Sequence, residues 1–207
     1  RKSVDFSALQ CENLKLYLER TRITELYIDG KKIGRQESLC TPHIYDLNEY
    51  IGTGVHEMTI CVSNVGYKTK GGHLTSPDTQ TNWNGITGRI ELIGYKNAHA
   101  ENVMLWCDIH NKTVRVTANI TGGKSGKAVI SAESFNSERS HTPEVQSFEY
   151  TNGKLDALYK MGDDCLLWSE HEPNLYKLKI DIDGDVSEHI IGMREFRTEG
   201  GKFTING

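Results

Sequence analysis

The sequence lacks the features that mark several large classes of protein. No apolar run approaches the roughly 20 residues of a membrane-spanning helix, so no such helix is predicted. A formal net charge of -4 provides no basic surface for nucleic acid. With 37% hydrophobic and 25% charged residues, the composition is that of an ordinary globular protein, and we expect neither a nucleic-acid nor a membrane partner.

Metal-binding and disulfide patterns are also missing. The five cysteines are odd in number, widely spaced and without a Cys-x-x-Cys pair, which argues against a zinc site or a complete disulfide framework. Buried free thiols are the favoured interpretation, and a single bridge stays open. The eight histidines are dispersed without metal-ligand spacing, so we predict no metal and no cofactor. The cysteines are Cys11, Cys40, Cys61, Cys107 and Cys165.

Two stretches imitate known motifs without matching them. "TGGKSGKAV" (121–129) resembles a phosphate-binding loop, but Thr121 replaces its first glycine and Ala128 its magnesium-binding hydroxyl, so we predict a glycine-rich hairpin turn. "DIDGDVSEH" (181–189) has the early carboxylates of a calcium loop, but Glu188 comes too early; an Asp-Gly hairpin is favoured over calcium. No nucleophile elbow or pocket-forming carboxylate pair occurs, so the sequence alone does not show an enzyme.

Alternation with a period of two residues dominates the chain. Apolar residues alternate with polar ones at 14–18, 58–62 and 176–182, which is typical of half-buried strands. The dipeptides Asp29-Gly30, Asn152-Gly153 and Asp183-Gly184 fall between such runs and favour tight hairpin turns. The sequence therefore predicts an all-β protein of antiparallel strands.

Strand spacing divides the chain in two near "GYKNAHAEN". Residues 98–198 contain about seven short strands, which fits an immunoglobulin-like β-sandwich. Residues 1–97 have wider spacing and longer loops, as in part of a jelly roll whose N-terminal part is missing. The predicted fold is thus a partial jelly-roll β-sandwich followed by an immunoglobulin-like β-sandwich.

One long loop interrupts the alternation at 66–88. A loop of this length in a compact β domain is usually functional or disordered. Its "DTQTNWN" holds an indole, whose face can pack on a sugar ring, and carboxylate and amide groups that bind sugar hydroxyls. The candidate carbohydrate-binding residues are Asp78, Asn82, Trp83 and Asn84. In the alternative interpretation, Trp83 only plugs the end of the sandwich and the asparagines make turns.

Several stretches, taken in order, share a resemblance to known proteins. "LKLYLERTRITELYIDGKKIG", "PHIYDLNEYI" and "HEMTICVSN" resemble the sugar-binding jelly roll in the N-terminal half of glycoside hydrolase family 2, the β-galactosidases, β-glucuronidases and β-mannosidases. "NWNGITGRIEL" resembles the closing segment of that jelly roll. "LLWSEHEPNLYKLKI" resembles the Trp-x-x-x-x-Pro-x-Leu-Tyr pattern of the family's immunoglobulin-like domain, carried by Trp168, Pro173, Leu175 and Tyr176.

"IIGMREFRTEGGKFTING" resembles the exit from that domain, with Gly192 and Arg194 matching the family's Gly-x-Arg element and 199–207 starting a linker into the catalytic barrel. The resemblance implies a (β/α)₈ barrel after Gly207 that carries two glutamates, a general acid and a nucleophile. Residues 1–207 would then be an inactive fragment of a glycosidase. Its implied partners are a β-glycoside carbohydrate and its own downstream barrel, and a homo-oligomer stays open. Its location stays open, with the periplasm or secretion favoured over the cytoplasm.

Two departures affect the 66–88 loop. Thr87 and Gly88 precede Arg89 where the family commonly has Gly-Ile-Tyr-Arg, and Thr81 and Asn82 stand where some relatives place an acidic residue. A second hypothesis, from a different functional class, is a free-standing carbohydrate-binding or adhesion module without a catalytic partner.

Overall fold

The computed structural model describes residues 1–68, 76, 78 and 84–207. Within these ranges the chain forms 16 strands and no helix, which confirms the all-β prediction. Accordingly, the described residues contain no helix that could cross a membrane. The chain divides into two compact units, Arg1–Lys96 and Asn97–Gly207.

The first unit is a sandwich of two antiparallel sheets. Its strands are β1 (Lys2–Asp5), β2 (Asn13–Leu18), β3 (Ile23–Ile28), β4 (Lys31–Glu37), β5 (His43–Asp46), β6 (Val55–Ser63) and β7 (Ile90–Tyr95). One sheet has the order β1-β6-β3-β4 and the other the order β5-β2-β7. This two-sheet arrangement confirms the predicted β-sandwich for the first part of the chain.

Period-two alternation builds the core of this unit. Leu14, Leu16 and Leu18 are buried on one face of β2, and Leu26 and Ile28 are buried on β3 of the opposite sheet. Because side chains alternate across a strand, Lys15 and Tyr17 of β2 lie on its other face. The inner faces therefore supply the apolar contacts that hold the two sheets together.

A side-chain amide covers the edge of β5. β4 and β5 are edge strands of their two sheets. The Gln36 Oε1 accepts a hydrogen bond from the Ile44 backbone N–H at 3.1 Å, and the Gln36 Nε2 donates to the Ile44 carbonyl oxygen. The Gln36 amide thus occupies the backbone groups that a neighbouring strand would use.

The second unit contains the remaining nine strands. They are β8 (His99–Asp108), β9 (Thr113–Thr121), β10 (Ser125–Ser134), β11 (Gln146–Thr151), β12 (Lys154–Lys160), β13 (Tyr176–Ile182), β14 (Asp185–Ile191), β15 (Phe196–Glu199) and β16 (Lys202–Ile205). Strands β8 to β14 pair in the order β14-β13-β10-β11-β12-β9-β8, and β15 pairs with β16 as a separate hairpin.

The strand order of this unit is that of a constant-type immunoglobulin domain. Its two layers are β8-β9-β12-β11 and β10-β13-β14, which correspond to the ABED and CFG sheets of that fold. Strand β10 also pairs with β11, so hydrogen bonds join the layers along one side. Val116, Ile130, Tyr159 and Ile180, all fully buried, fill the space between the layers. The predicted immunoglobulin-like sandwich is confirmed.

The predicted tight turns are formed by dipeptides whose φ angles lie in the left-handed region. The two φ angles are 50° and 79° at Asp29-Gly30, 53° and 66° at Asn152-Gly153, and 50° and 87° at Asp183-Gly184. Positive φ at both central residues is the geometry of a type I′ hairpin turn, which aspartate, asparagine and glycine tolerate best. A fourth pair, Gly200-Gly201, has φ angles of 55° and 77° and joins β15 to β16.

The predicted hairpin turn at 121–129 is wrong. Strand β9 pairs with β8 and β12, whereas β10 pairs with β11 and β13, so this segment crosses between layers. Close packing against Tyr150 explains its glycines. A Cβ added at Gly123 would lie 2.6 Å from the Tyr150 hydroxyl oxygen, and one added at Gly126 would lie 2.7 Å from it. Both contacts are shorter than real Cβ atoms make, so the connection needs glycine where it passes Tyr150.

The cysteines do not all follow the predicted burial. All five are free thiols. Cys165 is buried as expected, and Cys11 and Cys107 are half-buried. Cys40 and Cys61 are exposed, so the interpretation of buried core thiols is wrong for those two. Burial raises the pKa of the Cys107 thiol to about 11, which keeps it protonated at neutral pH.

Candidate functional site

The candidate carbohydrate residues are only partly within the described chain. Asn82 and Trp83 lie outside the described residues, whereas Asp78 and Asn84 lie within them and are both exposed. The Ser76 Oγ donates to the Asp78 Oδ2 at 3.2 Å and accepts a hydrogen bond from the Asp78 backbone N–H at 3.1 Å. The Asn84 Oδ1 accepts a hydrogen bond from the Asn64 Nδ2. The grouping of the four residues stays a prediction.

Backbone hydrogen bonds attach the returning end of the loop to the corner between β2 and β3. The Thr87 N–H donates to the Arg20 carbonyl oxygen and the Gly88 N–H donates to the Glu19 carbonyl oxygen, each at 3.1 Å. Ile86 packs against the apolar core of the unit. The segment 84–89 is therefore fixed to the sandwich by both backbone and side-chain contacts.

Close approach to Glu19 explains one of the departures from the family pattern. A Cβ added at Gly88 would lie 2.7 Å from the Glu19 Cβ and 2.9 Å from the Glu19 carbonyl oxygen. The second of these atoms is backbone and cannot move aside. A residue with a side chain does not fit at position 88 in this arrangement, so the return to β7 needs glycine at that position.

Arg89 completes the attachment with charge. Its Nε and its backbone N–H donate to the Glu19 Oε2 at 3.1 and 3.2 Å, and its Nη2 donates to the Tyr17 hydroxyl at 3.1 Å. Its guanidinium carbon lies 4.8 Å from the centroid of the Tyr17 ring. The hydrogen bonds from Arg89 lower the pKa of the Glu19 carboxyl and raise that of Arg89. Both groups are charged at neutral pH, and the pair holds the end of the loop on the sheet surface.

Six carboxyl groups of the described residues have a lowered pKa, chiefly because neighbouring N–H and O–H groups or charged side chains donate hydrogen bonds to them. They are Asp5, Glu19, Glu25, Asp29, Asp108 and Asp156. A general acid needs the opposite shift, a raised pKa that lets it hold its proton near neutral pH. The described part of the chain also contains no group of three or more His, Cys, Asp or Glu residues placed to hold a metal ion.

A second cluster lies at the end of the immunoglobulin-like unit, around Trp168. The Trp168 N–H donates to the Met193 carbonyl oxygen at 2.9 Å, and Gly192 packs directly against the indole. The Arg194 guanidinium carbon lies 4.7 Å from the centroid of the Trp168 ring, a cation–π contact. Trp168 and the Gly-x-Arg element are two separate resemblances in the sequence, but in the structure they pack together in one cluster.

Asn206 ties the final hairpin to this cluster. Its Nδ2 donates to the Trp168 carbonyl oxygen at 2.8 Å, and its Oδ1 accepts from the Glu195 N–H at 2.9 Å. The Asn206 N–H in turn donates to the Glu195 carbonyl oxygen at 2.9 Å. Its φ of 58° is left-handed, a conformation that asparagine tolerates. Asn206 therefore fixes the path of the chain at the end of β16 relative to Trp168.

A buried hydroxyl organises the segment before β13. The Tyr176 Oη, which is fully buried, accepts a hydrogen bond from the Leu166 N–H at 2.8 Å and lies 2.8 Å from the His141 Nδ1. The Tyr176 hydroxyl can then donate a hydrogen bond to the His141 Nδ1 if the imidazole is neutral. Burial lowers the pKa of His141, which favours the neutral imidazole. Burial also raises the pKa of Tyr176. Sequence reasoning missed His141, because it lies far from the Trp-to-Tyr pattern along the chain.

Asn136 supports the same pattern from the β10–β11 connection. Its Nδ2 donates to the Pro173 carbonyl oxygen and its Oδ1 accepts from the Leu175 N–H, both at 2.7 Å. Pro173 also forms an isolated antiparallel bridge with Trp168. The four residues of the pattern thus build the end of the domain.

Comparison with known proteins agrees with this architecture. The model of the family "Glycosyl hydrolases family 2" matches residues 98–194. A β-galactosidase of Clostridium acetobutylicum is 22% identical over 177 residues, covering 83% of this chain and 19% of the relative. The β-galactosidase BgaC of Bifidobacterium adolescentis is 26% identical over 211 residues, covering 88% of this chain and 19% of the relative. The chain spans about a fifth of the length of the curated relatives it matches.

Solved structures show the same fold across the whole chain. A β-glucuronidase of Faecalibacterium prausnitzii superposes with a TM-score of 0.73 at 15% identity, covering 100% of this chain and 38% of that one. A β-glucuronidase of an uncultured Clostridium species gives 0.67 at 20% identity, covering 100% and 36%. The protein is thus of the two-sandwich, all-β class. The resemblance to the N-terminal portion of glycoside hydrolase family 2, inferred from the sequence, is confirmed.

Proposed function

We propose that this chain is the non-catalytic N-terminal portion of a family 2 glycosidase that hydrolyses O-glycosidic bonds, and that it supports and partly shapes the substrate pocket. The observation that carries the proposal is the family match at 98–194, which ends at Arg194 within the Trp168 cluster. In this proposal, 1–97 is the sugar-binding jelly roll, 98–198 is the immunoglobulin-like domain and 199–207 leads toward a catalytic barrel. Asn206 holds that exit in a fixed direction.

Catalysis in this proposal belongs to residues outside the chain. Hydrolysis with retention needs one carboxylic acid that is protonated near neutral pH and a second carboxylate about 5 Å away as nucleophile. Several carboxyls of the described residues, such as Glu19, Glu25 and Asp108, have a pKa lowered by hydrogen bonds, which is opposite to the shift that a general acid needs. The proposal assigns both catalytic glutamates to the barrel, so it expects the chain alone to be inactive.

The direct contribution of the chain to substrate binding is assigned to the 66–88 loop. Asp78 and Asn84 are exposed and carry the oxygen and amide groups that bind sugar hydroxyls. Asn82 and Trp83 are assigned to the same group because they lie between Asp78 and Asn84 in the sequence. The hydrogen bonds of Thr87, Gly88 and Arg89 attach the loop to a rigid sandwich, and loops on such scaffolds are well suited to forming the rim of a site.

The substrate is proposed to be a β-glycoside. The curated relatives named above are β-galactosidases and the two solved structures are β-glucuronidases, so galactosides and glucuronides head the set of candidates. The proposed partners are the carbohydrate, the downstream barrel and, for the whole enzyme, a second copy of itself.

The test uses the complete gene product and the 1–207 chain side by side. Each is assayed with nitrophenyl β-galactoside, β-glucuronide, β-mannoside and β-glucoside. The proposal expects the complete protein to cleave at least one of them and the 1–207 chain to cleave none. Turnover by the 1–207 chain would contradict it. If the complete protein is folded but inactive, and the 1–207 chain binds sugar saturably, the free-standing binding module is favoured.

The loop assignment has its own test in the complete enzyme. Trp83→Ala should lower kcat/KM by about tenfold, which is the loss of about 1.4 kcal/mol of transition-state stabilisation. Trp106→Ala provides a matched control, because Trp106 is an exposed tryptophan on β8 of the other unit, 46% accessible to solvent. If both variants keep the kinetics of the parent, the loop does not belong to the substrate site.

A further inference from the structure

Three Asn-Gly pairs occur in the sequence, and the structure places them in three different environments. They are Asn84-Gly85, Asn152-Gly153 and Asn206-Gly207. Such a pair carries a reaction of its own, in which the backbone nitrogen of the glycine attacks the side-chain amide carbon of the asparagine. Because glycine has no Cβ, its backbone turns toward that carbon more easily than the backbone of other residues. The reactivity of each pair therefore depends on how firmly the fold holds it.

The fold holds Asn152-Gly153 through the backbone of its hairpin turn. The Gly153 N–H donates to the Lys124 carbonyl oxygen at 2.9 Å, and the Gly153 carbonyl oxygen accepts from the Ile120 N–H at 2.8 Å. A Cβ added at Gly153 would lie 3.1 Å from the Ile120 carbonyl oxygen, so this position has little room to turn. Attack by the Gly153 nitrogen would have to break these hydrogen bonds.

The fold holds Asn206-Gly207 through the asparagine side chain instead. The Asn206 Nδ2, which would leave as ammonia, donates to the Trp168 carbonyl oxygen at 2.8 Å. The Asn206 Oδ1 accepts from the Glu195 N–H at 2.9 Å. The side chain must rotate to bring its amide carbon to the next nitrogen, and that rotation would break both hydrogen bonds.

Neither restraint acts on Asn84-Gly85. Asn84 is exposed, and among the described residues nothing accepts a hydrogen bond from its Nδ2 or from the Gly85 N–H. A Cβ added at Gly85 would meet nothing within 4 Å, so the backbone has room to turn. The Asn64 Nδ2 donates to the Asn84 Oδ1, the atom on which negative charge develops when a nucleophile adds to the amide carbon. That hydrogen bond therefore favours the reaction.

We propose that Asn84-Gly85 is a self-modification site, at which the Asn84 amide becomes a carboxylate, and that Asn64 promotes the conversion. In the first step the Gly85 nitrogen bonds to the Asn84 Cγ and the bond from Cγ to Nδ2 breaks. The Gly85 amide proton leaves with that nitrogen as ammonia, and a succinimide ring remains. In the second step water adds to one of the two ring carbonyl carbons, and the ring opens to aspartate or to isoaspartate.

The product changes both charge and backbone at one point of the 66–88 loop. Each conversion adds one negative charge next to Asn64, whose amide can still donate to the new carboxylate. Isoaspartate also inserts a carbon atom into the main chain just ahead of Gly85. This modification depends on the exposure and hydrogen bonds of residue 84, and it does not rest on the assignment of the loop to a carbohydrate.

Peptide mapping of the complete protein by mass spectrometry, after incubation at mildly alkaline pH, follows all three pairs in one sample. The same protein unfolded in urea gives the rate of each pair without the fold. In the folded protein Asn84 should convert at least about tenfold faster than Asn152 or Asn206, since those two must first open locally. In urea the three rates should be similar. If Asn152 or Asn206 converts as fast as Asn84 in the folded protein, or if folding protects Asn84 equally, the assignment is wrong.

Asn64→Asp tests the promoting hydrogen bond while keeping the size of the side chain. A carboxylate accepts but does not donate, so the Asn84 Oδ1 loses its donor and conversion should slow by about fivefold. Asn13→Asp is the matched control, because it adds the same charge in the same unit and can still accept from the Asn48 Nδ2. It should leave the Asn84 rate unchanged. A rate in Asn64→Asp that stays the same or rises would show that Asn64 does not promote the reaction.

Discussion

Gly192 packs against Trp168 at the limit of what two residues can share: a Cβ added at Gly192 would lie 3.0 Å from both the Cβ and the Cγ of Trp168. The Arg194 guanidinium lies against the same indole. Gly192 is therefore required by its neighbour, because any side chain would push Trp168 away from the position in which it meets Arg194 and Asn206.

Gly192→Ala should destabilise the immunoglobulin-like unit. Overpacking of a tight contact typically costs about 1–3 kcal/mol, and the crowded atoms belong to a large ring and its Cβ. Urea unfolding followed by Trp fluorescence measures the loss. Gly52→Ala is the control, since a Cβ there meets nothing within 4 Å. Equal stability of the two variants would show that Trp168 moves aside without cost.

Asn206→Asp should loosen the final hairpin while keeping the size of the side chain. The carboxylate can still accept from the Glu195 N–H, but it can no longer donate to the Trp168 carbonyl oxygen, and it places negative charge against it. Loss of one such hydrogen bond costs about 1–3 kcal/mol when a partner is left unsatisfied. Amide exchange across β15 and β16 should speed up. Asn206→Gly tests the backbone separately, because glycine keeps the left-handed φ without the amide; unchanged exchange in both variants would contradict the role of Asn206.

Tyr176→Phe should lower the stability of the same unit by about 1–3 kcal/mol, because the buried Leu166 N–H loses its acceptor. Thermal unfolding of the variant against the parent measures this. Tyr27→Phe is the matched control: the Tyr27 hydroxyl donates to the Glu25 carboxylate in a partly exposed position, where water can replace it. A Tm for Tyr176→Phe no lower than that of Tyr27→Phe would show that the hydroxyl is dispensable.

Stability should fall as the pH drops below about 6.5. Burial lowers the pKa of His43, His141 and His189 in the folded state below the ordinary value of 6.5. The unfolded chain then binds more protons in that range, so acid favours unfolding, and the full stability is present only above pH 6.5. The pKa values of carboxyls such as Asp29 and Glu19 are lowered from the ordinary values of 3.8 and 4.5. The stability that these carboxyls contribute is therefore lost at still lower pH.

Urea unfolding at pH 7.5, 6.5 and 5.5 measures this dependence. His189→Gln should reduce the slope of stability against pH, because it removes one half-buried imidazole whose pKa is lowered in the folded state. His171→Gln is the exposed control, since the His171 side chain is 88% exposed. A stability that is constant or rises between pH 6.5 and 5.5 would show that His43, His141 and His189 do not control this range.

Local sequence patterns predicted much of the fold. Alternation identified strands such as β2 and β13, because each strand has one buried face, and Asp-Gly and Asn-Gly pairs identified turns whose geometry depends on only two residues. What the pattern could not show was which strands pair. The hairpin expected at 121–129 is instead a crossing between layers, since the partners of β9 and β10 lie elsewhere in the chain.

The same limit applies to the candidate sites: local patterns identify individual residues, but not their contacts with distant parts of the chain. The sequence singled out Trp168, Gly192 and Arg194 as separate matches, but the hydrogen bond from Asn206 to the Trp168 carbonyl oxygen spans 38 residues, and only the structure shows it. For the 66–88 loop, the structure locates Asp78 and Asn84 and the anchor at Arg89, while the roles of Asn82 and Trp83 rest on sequence alone.

The Gln36 amide on the edge of β5 bears on how the protein behaves at high concentration. A bare strand edge is a template on which another molecule can add its own strand, and such additions propagate into aggregates. By bonding both the N–H and the carbonyl oxygen of Ile44, Gln36 removes that template at the centre of the edge. A single side chain thereby occupies the backbone groups of Ile44 through which a strand of another molecule would pair with this edge.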